Sequence, residues 1–281
     1  METTTTTVPF SYTTIKVTRS RIDKGLLAIP APLIHLFPTT SGHVYLVDEQ
    51  GLEKKASFTA YTSRSKECRV GGMSAFYARY NTRDGEELVL QVRGDGRYMI
   101  LPEKRFHQRI EEFEAQLDKA SNNMDASAAL AGLTELTGTK REEVIKSEFV
   151  RLAQHEVVER KVLRRHAANA QEKVSAALRE ILLNLYSGRC QVSGFTFMMT
   201  TGKQYFEVHH INPKQGDHVK NLLVVSPNVH AQFTYARVEH AFDGMGWLRQ
   251  VHFNGEAHSV FQVVDQLPAS FKKESHSIEG T

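Results

Sequence analysis

Between residues 207 and 233 the sequence reads EVHHINPKQGDHVKNLLVVSPNVHAQF and holds His209, His210, Asn221 and His230. A neutral imidazole is a common ligand for transition metals, and it takes up a proton near neutral pH, which suits a general base. A lone histidine is ordinarily a surface or core residue. Two adjacent histidines followed by an asparagine and a third histidine form a constellation that could bind a metal and activate water for hydrolysis.

The surrounding residues say how these groups would be held. YFEVHHI reads as a strand, preceded by a second strand, CQVSGFTFMM, with a turn at Thr200 to Lys203. Ser226-Pro227 is a helix start, serine as the cap and proline at the first helical position, so His230 falls in the opening turns of a helix. Neighbouring side chains on a strand point apart, so His209 and His210 should have different tasks. One can face a metal that His230 reaches from the helix, and the other can face the substrate beside it. Farther on, WLRQVHFN-GEAHSVFQVV has the pattern of a hairpin turning at Asn254-Gly255.

Strand, loop and capped helix with these residues resemble an HNH nuclease of the ββα-metal type, whose members commonly read HHI-P…G…N…PN-H-H-A-x-F-D. The counterparts here are His209-His210-Ile211, Pro213, Gly216, Asn221 and Pro227-Asn228-Val229-His230-Ala231-Gln232-Phe233-Thr234, and the lead-in LREILLNLYSGRCQVSGF also resembles the family. The resemblance spans roughly residues 178–240. It implies that His209 and His230 are metal ligands, that His210 is the general base and that Asn221 orients the base or pins the loop. It also implies a divalent metal, with Mg2+ expected and Mn2+ or Co2+ accepted. Two departures stand out. Relatives often carry a zinc ribbon of two Cys-x-x-Cys pairs, where this chain has Cys190-Gln-Val-Ser193 and Ser226-Pro-Asn-Val229. No structural zinc is therefore expected, and Phe195, Phe197, Phe206, Val208, Leu222 and Leu223 should pack the finger instead. Thr234 stands where relatives often have aspartate, leaving two protein ligands.

Toward the amino terminus, residues 13–105 read as β-rich. GLLAIP, HVYLVD, KASFTAY, AFYARY and ELVLQV are separated by turn residues at 48–51, 84–85 and 94–96. YMILPEKRF reads as a last strand entering a helix. From Pro102 to Tyr186 the pattern is helical, with Phe106, Ile110, Phe113 and Leu117 on one stripe. SNNMDASAALAGLTELTGT reads as a break or linker. A long helical segment then runs from Arg141 to a stop at Gly188, interrupted near 167–169. The opening threonine run is expected to be disordered.

The early "IP" strand, a turn like V-L-D-x-x-G (Leu46-Val47-Asp48-Glu49-Gln50-Gly51 here) and the element Gly72, Phe76, Asn81, Gly85, Glu86 resemble the B-three DNA-binding pseudobarrel of plant transcription factors, a fold that restriction enzymes use as a specificity domain. The resemblance implies that two basic loops enter the major groove, one carrying Arg19, Arg21 and Lys24, the other Arg64, Lys66 and Arg69. The run Arg160-Lys161…Arg164-Arg165 suits either a phosphate backbone or a solvated helix face.

The chain has 281 residues and a net charge of +3. Residues 1–105 carry 15 Lys/Arg against 11 Asp/Glu, and 151–190 carry 8 against 4. The intervening 106–150 carry 5 against 9, so two basic blocks flank an acidic one. Two distant cysteines argue against a disulfide framework and for a reducing compartment, and neither a signal peptide nor a membrane span is legible. A bacterial cytoplasmic protein is expected.

The fold class expected is α+β. A β-barrel (pseudobarrel) DNA-recognition domain occupies 1–105, a helical connector 106–177 and a ββα-metal HNH nuclease domain 178–281. The function expected is that of a Type II restriction endonuclease acting on double-stranded DNA. One such site cuts one strand, so a homodimer is expected, and the resemblance leaves room for a cognate DNA methyltransferase acting separately. The alternatives are a homing or phage-type nicking endonuclease, or a DNA-binding regulator with an inactive finger.

Overall fold

Period-two alternation builds the first half of the chain. In β4 (Glu53–Thr59) Ala56 and Phe58 point inward while their neighbours face solvent. The same alternation marks β2 (Leu26–Ile29) and β3 (Gly42–Val47), and β1 (Thr13–Lys16) buries only Ile15, whereas β5 (Cys68–Gly71), β6 (Glu87–Gly94) and β7 (Arg97–Pro102) bury successive residues. These strands form one seven-stranded sheet in the order β1-β6-β7-β3-β4-β5-β2, curled into a nearly closed barrel. Every pairing is antiparallel except that of β3 with β7. Inside, Phe37 lies flat on Tyr98, with centroids 4.3 Å apart, and beside Phe58 at 5.7 Å. Burying a side chain of this size stabilises by roughly 1.5–3 kcal/mol.

The computed structural model describes residues 10, 12–61, 67–155 and 174–267. The threonine run, Arg64, Lys66 and the basic run Arg160 to Arg165 lie outside the described residues. Two compact units are present, 1–114 with 132–139, and 115–131 with 140–281. No helix among the described residues is long and apolar enough to cross a membrane.

Three segments differ from their sequence reading. AFYARY is not a strand but lies in α2 (Ser74–Tyr80). Gly72, at φ +77°, turns the chain out of β5, and Met73 and Tyr77 then bury one turn apart. The Tyr77 hydroxyl donates to the Leu26 carbonyl, tying the helix to the sheet. The first basic loop is also helical over α1 (Arg19–Asp23), held because the Thr18 carbonyl accepts from the amides of Arg21 and Ile22.

The third departure is the supposed linker. α3 (Glu103–Asp118) follows β7 directly, and α4 (Asn123–Thr137) then occupies most of the segment read as a break. Small residues serve packing there. Ala126, Ala129, Leu130, Leu133 and Leu136 are buried at helical spacing, and a Cβ on Gly132 would sit 2.2 Å from the Phe113 ring. The Asn122 side chain caps the start by accepting from the amides of Met124 and Asp125.

In the second unit α5 (Arg141–Gln154) and α6 (Ala176–Tyr186) precede the histidine-bearing segment. Ser187 and Gly188, both at positive φ, end α6 as Gly188 was expected to do. Two short strands, β8 (Phe197–Met198) and β9 (Gln204–Tyr205), form a small ribbon. β10 (Glu207–His210) pairs with β11 (Leu222–Val225), and α7 (Pro227–Tyr235) follows, capped by Ser226 with Pro227 first in the helix. A three-stranded sheet, β12 (Val238–Phe242), β13 (Leu248–Phe253) and β14 (Glu256–Ser259), ends the described chain, with the expected turn at Asn254-Gly255.

The core of this half differs from the expected one. Phe206, Leu222 and Leu223 are buried, but Phe195 and Phe197 are exposed. Leu223, Val225 and Val229 pack instead on Leu248, Val251 and Phe253. The β8–β9 ribbon is a separate sheet from β10–β11, so its aromatic residues have no inner face to join.

Candidate active site

Strand alternation separates the two adjacent histidines as the sequence reading required. His209 shares a face of β10 with Glu207, and that face meets α7. The rings of His209 and His230 lie 5.3 Å apart at 70°, and His209 stacks on Phe233 at 4.1 Å and 20°. Burial, with His230, His210 and His240 adding like charge, pushes the His209 imidazole down to about 4. It is therefore neutral at physiological pH, with a lone pair to offer.

His230 is oriented from its other side. Glu207 Oε2 lies 2.5 Å from His230 Nδ1, and the Tyr205 hydroxyl donates to Glu207 Oε1 at 2.7 Å. Burial alone would raise the Glu207 carboxyl, but the Tyr205 hydroxyl and His230 hold it below the usual range, so it is an ionised acceptor. An ionised carboxylate needs a donor, which puts the proton on His230 Nδ1 and the lone pair on Nε2. Sequence reasoning missed Glu207 and Tyr205. The signal was available, since Glu207 stands two residues before His209 on the same strand face.

His210 faces the other way. Its ring is nearly buried, at 7% exposure, and Nε2 lies 2.9 Å from Asp217 Oδ1. The other Asp217 oxygen accepts the amide N–H of Ser175, the cap of α6. Asp217 was also missed, because it lies in a loop with no periodicity to place it. Asn221 is buried and pins that loop. Its side chain donates to the carbonyls of Asn212 and Gly216 and accepts the Asn212 N–H, all within 2.9 Å.

Asn221 also lines a cleft of about 420 Å³ with Asn212, Pro213, Lys220, His240 and Phe242 among others, to which His209, His210 and His230 do not contribute. Among the described residues no group of three or more His, Cys, Asp or Glu is arranged to hold a metal. His209 and His230 are the two imidazoles that face each other here, and imidazole nitrogen is chemically suited to a divalent transition metal that completes its shell with oxygens. Cys190, the remaining ribbon cysteine, is buried, and its sulfur accepts the Ser193 N–H at 3.4 Å.

On the barrel, Arg21 and Arg69 are brought together by Glu67, which lies 2.7 Å from the first and 3.2 Å from the second. Arg19 is exposed and paired with Asp23, and Lys24 is exposed. The described parts of the two basic segments therefore share one surface of the first unit.

No family model matches the chain, and no curated protein matches it. Among solved structures, the chain is similar to the Arabidopsis FUS3–DNA complex, with 10% identity over 33% of this chain and 96% of that one and a TM-score of 0.29. It is similar to a hypothetical Arabidopsis thaliana protein, with 19% identity over 33% of this chain and 88% of that one and a TM-score of 0.27. It is also similar to the modification-dependent TagI restriction endonuclease, with 25% identity over 37% of this chain and a TM-score of 0.28. This chain spans 38% of the TagI chain.

Proposed function

We propose that this protein is a metal-dependent HNH endonuclease acting on double-stranded DNA, working as a Type II restriction enzyme. In this reading residues 1–105 recognise DNA, 106–177 connect and 178–281 cut. The observation that carries it is the facing pair His209 and His230, with Glu207 fixing the tautomer of His230 on a strand–loop–helix frame.

A divalent ion, Mg2+ by abundance, would supply positive charge at the scissile phosphate and stabilise the leaving oxygen. His209 and His230 would hold that ion through ring nitrogens. His210 accepts the proton of the attacking water. Asp217 engages its Nε2, and that carboxylate orients the ring and stabilises the imidazolium that forms. Asn221 keeps the loop from Asn212 to Gly216 closed around the strand end. Arg19, Arg21, Lys24 and Arg69, together with Arg64 and Lys66, contact phosphates and base edges. A homodimer would cut both strands of a symmetric site.

The burial of His210 against Asp217 favours a second reading, a DNA-binding regulator whose finger does not cut. Incubating the purified protein with supercoiled plasmid in Mg2+, in Mn2+ and in chelator separates the two. Linear product with a metal supports the restriction enzyme, open circles alone support a nicking enzyme, and intact plasmid under every condition supports the regulator.

A further inference from the structure

The ribbon β8–β9 exposes what a soluble surface ordinarily hides. Phe195 is 54% exposed, Phe197 43% and Met198 63%. Phe195, Phe197 and Tyr205 form a continuous patch, with Phe195 6.0 Å from Phe197 and Phe197 stacked on its cross-strand partner Tyr205 at 5.2 Å and 22°, while Met198, next on the strand, faces the other side. The patch is rigidly based. Phe206, at its foot, is buried under the Arg179 guanidinium at 4.3 Å, and the Tyr205 hydroxyl bonds Glu207, which holds His230. The ribbon and the histidine pair are thus mechanically one piece.

Charge says what the patch meets. From Arg189 to Phe206 the chain has no Asp or Glu, while Arg189 and Lys203 are both exposed. Flat apolar rings on a segment whose own charges are both positive complement a partner that is polyanionic outside and aromatic within, and the nearby Glu207 carboxylate is taken up by Tyr205 and His230. We infer that Phe195 and Phe197 form a base-stacking wedge, which enters duplex DNA beside the histidine site and unstacks a base step there. Aromatic side chains stack on any base, and apolar wedges open base steps, so the contact carries little sequence preference. The inference rests on the reading of the chain as DNA-acting, but it concerns binding and not the chemistry of cutting.

The test uses the full chain in chelator, so that nothing is cut. A fluorescein-labelled duplex reports affinity by anisotropy, and a duplex carrying 2-aminopurine reports unstacking by a rise in fluorescence. The variants are Phe195→Ser/Phe197→Ser and the ring-preserving Phe197→Trp, with folding checked by circular dichroism and oligomeric state by light scattering. The double variant should stay folded, bind about 5- to 100-fold more weakly and lose the 2-aminopurine signal, while Phe197→Trp keeps both. Unchanged affinity and signal in the folded double variant would overturn the wedge. So would a fall from dimer to monomer with DNA affinity intact, which would make the patch a contact between copies. Should the double variant not fold, Phe195→Leu/Phe197→Leu, which keeps apolar bulk but removes both rings, carries the same test. If wild type binds and unstacks DNA yet leaves it uncut with every metal tried, the nuclease reading fails and the wedge stands.

Discussion

Glu207 and His230 come from different elements, a strand and a helix, yet Glu207 Oε2 lies 2.5 Å from His230 Nδ1. With Tyr205 behind it, the carboxylate is pre-set before any ligand arrives, which fixes which nitrogen of His230 faces His209. A carboxylate in this position orients a ligating imidazole and raises its basicity.

Glu207→Ala should therefore weaken Mn2+ binding by about 10- to 100-fold, the usual effect of losing such a partner. Tyr205→Phe should have a smaller effect in the same direction, and His230→Ala should abolish binding. Titration calorimetry of the three variants measures the order. Equal affinity in Glu207→Ala and wild type would remove His230 from the ligand set.

His210 and Asp217 lie on the opposite face of β10 from His209 and Glu207, so under the proposed roles cutting and metal binding should separate by mutation. His210→Ala should lower single-turnover cleavage by about 10² to 10⁴ with Mn2+ affinity unchanged. Asp217→Asn should lower it less. His209→Ala should lose metal first, with partial rescue by excess Mn2+. Normal cleavage by His210→Ala would take the base role away from it.

Asn221 makes no contact with the histidines and acts on the loop. Asn221→Ala leaves three backbone groups of Asn212 and Gly216 without their partner. A buried polar group left unsatisfied costs about 1–3 kcal/mol, so a loss of about 2–4 kcal/mol is expected in urea unfolding of metal-free protein. A loss under about 0.5 kcal/mol would show that water replaces the side chain.

His218 supplies a pH dependence. Its Nδ1 accepts the Lys220 N–H and its Nε2 donates to the His155 carbonyl, an arrangement only the neutral ring can make. Burial, then the Lys220 charge, lowers its proton affinity in the folded chain. The unfolded chain takes up that proton near 6.5, so below this pH the unfolded state binds more protons and stability falls with pH. The loss amounts to at most about 1.4 kcal/mol per pH unit, ending where the folded ring also titrates. The stability gap between wild type and His218→Gln should therefore shrink from pH 7.5 to pH 5 in denaturant titrations. A constant gap would mean that His218 is not held neutral.

On the barrel, Glu67 neutralises both Arg21 and Arg69. Glu67→Gln should tighten binding to random duplex at low salt by about 5- to 10-fold and steepen its salt dependence, as one more phosphate is contacted. Filter binding across a salt series reads both. An unchanged slope would place these arginines away from DNA.

Much of this was legible because it is local. Short apolar runs marked five of the seven barrel strands, β2, β3, β4, β6 and β7, Ser226-Pro227 marked the start of α7, and Asn254-Gly255 marked a hairpin. The pleat of β10 was enough to assign His209 and His210 to different surroundings. The failures have physical causes. AFYARY is a short apolar, aromatic-rich run but starts soon after a glycine at positive φ and is tied by Tyr77, so tertiary contact decided its helix. The small residues of α4 resembled a linker because close packing on Phe113 needs small residues too. Phe195 and Phe197 were placed in the core on hydrophobicity alone, although a two-residue ribbon has no interior. Asp217 could not be found, because only the fold brings it to His210.

The order of the barrel strands also bears on how the chain matures. β1 pairs with β6, matching Thr13 to Leu90, and the parallel ladder of β3 needs Arg97 to Met99 of β7. A ribosome adding about 5–20 residues per second must therefore complete the whole first hundred residues before the barrel can close. Until then β1 and β3 are nascent edges that a chaperone must shield from neighbouring chains. The strand pair bearing the histidines has no such wait, since β10 meets β11 after one short loop.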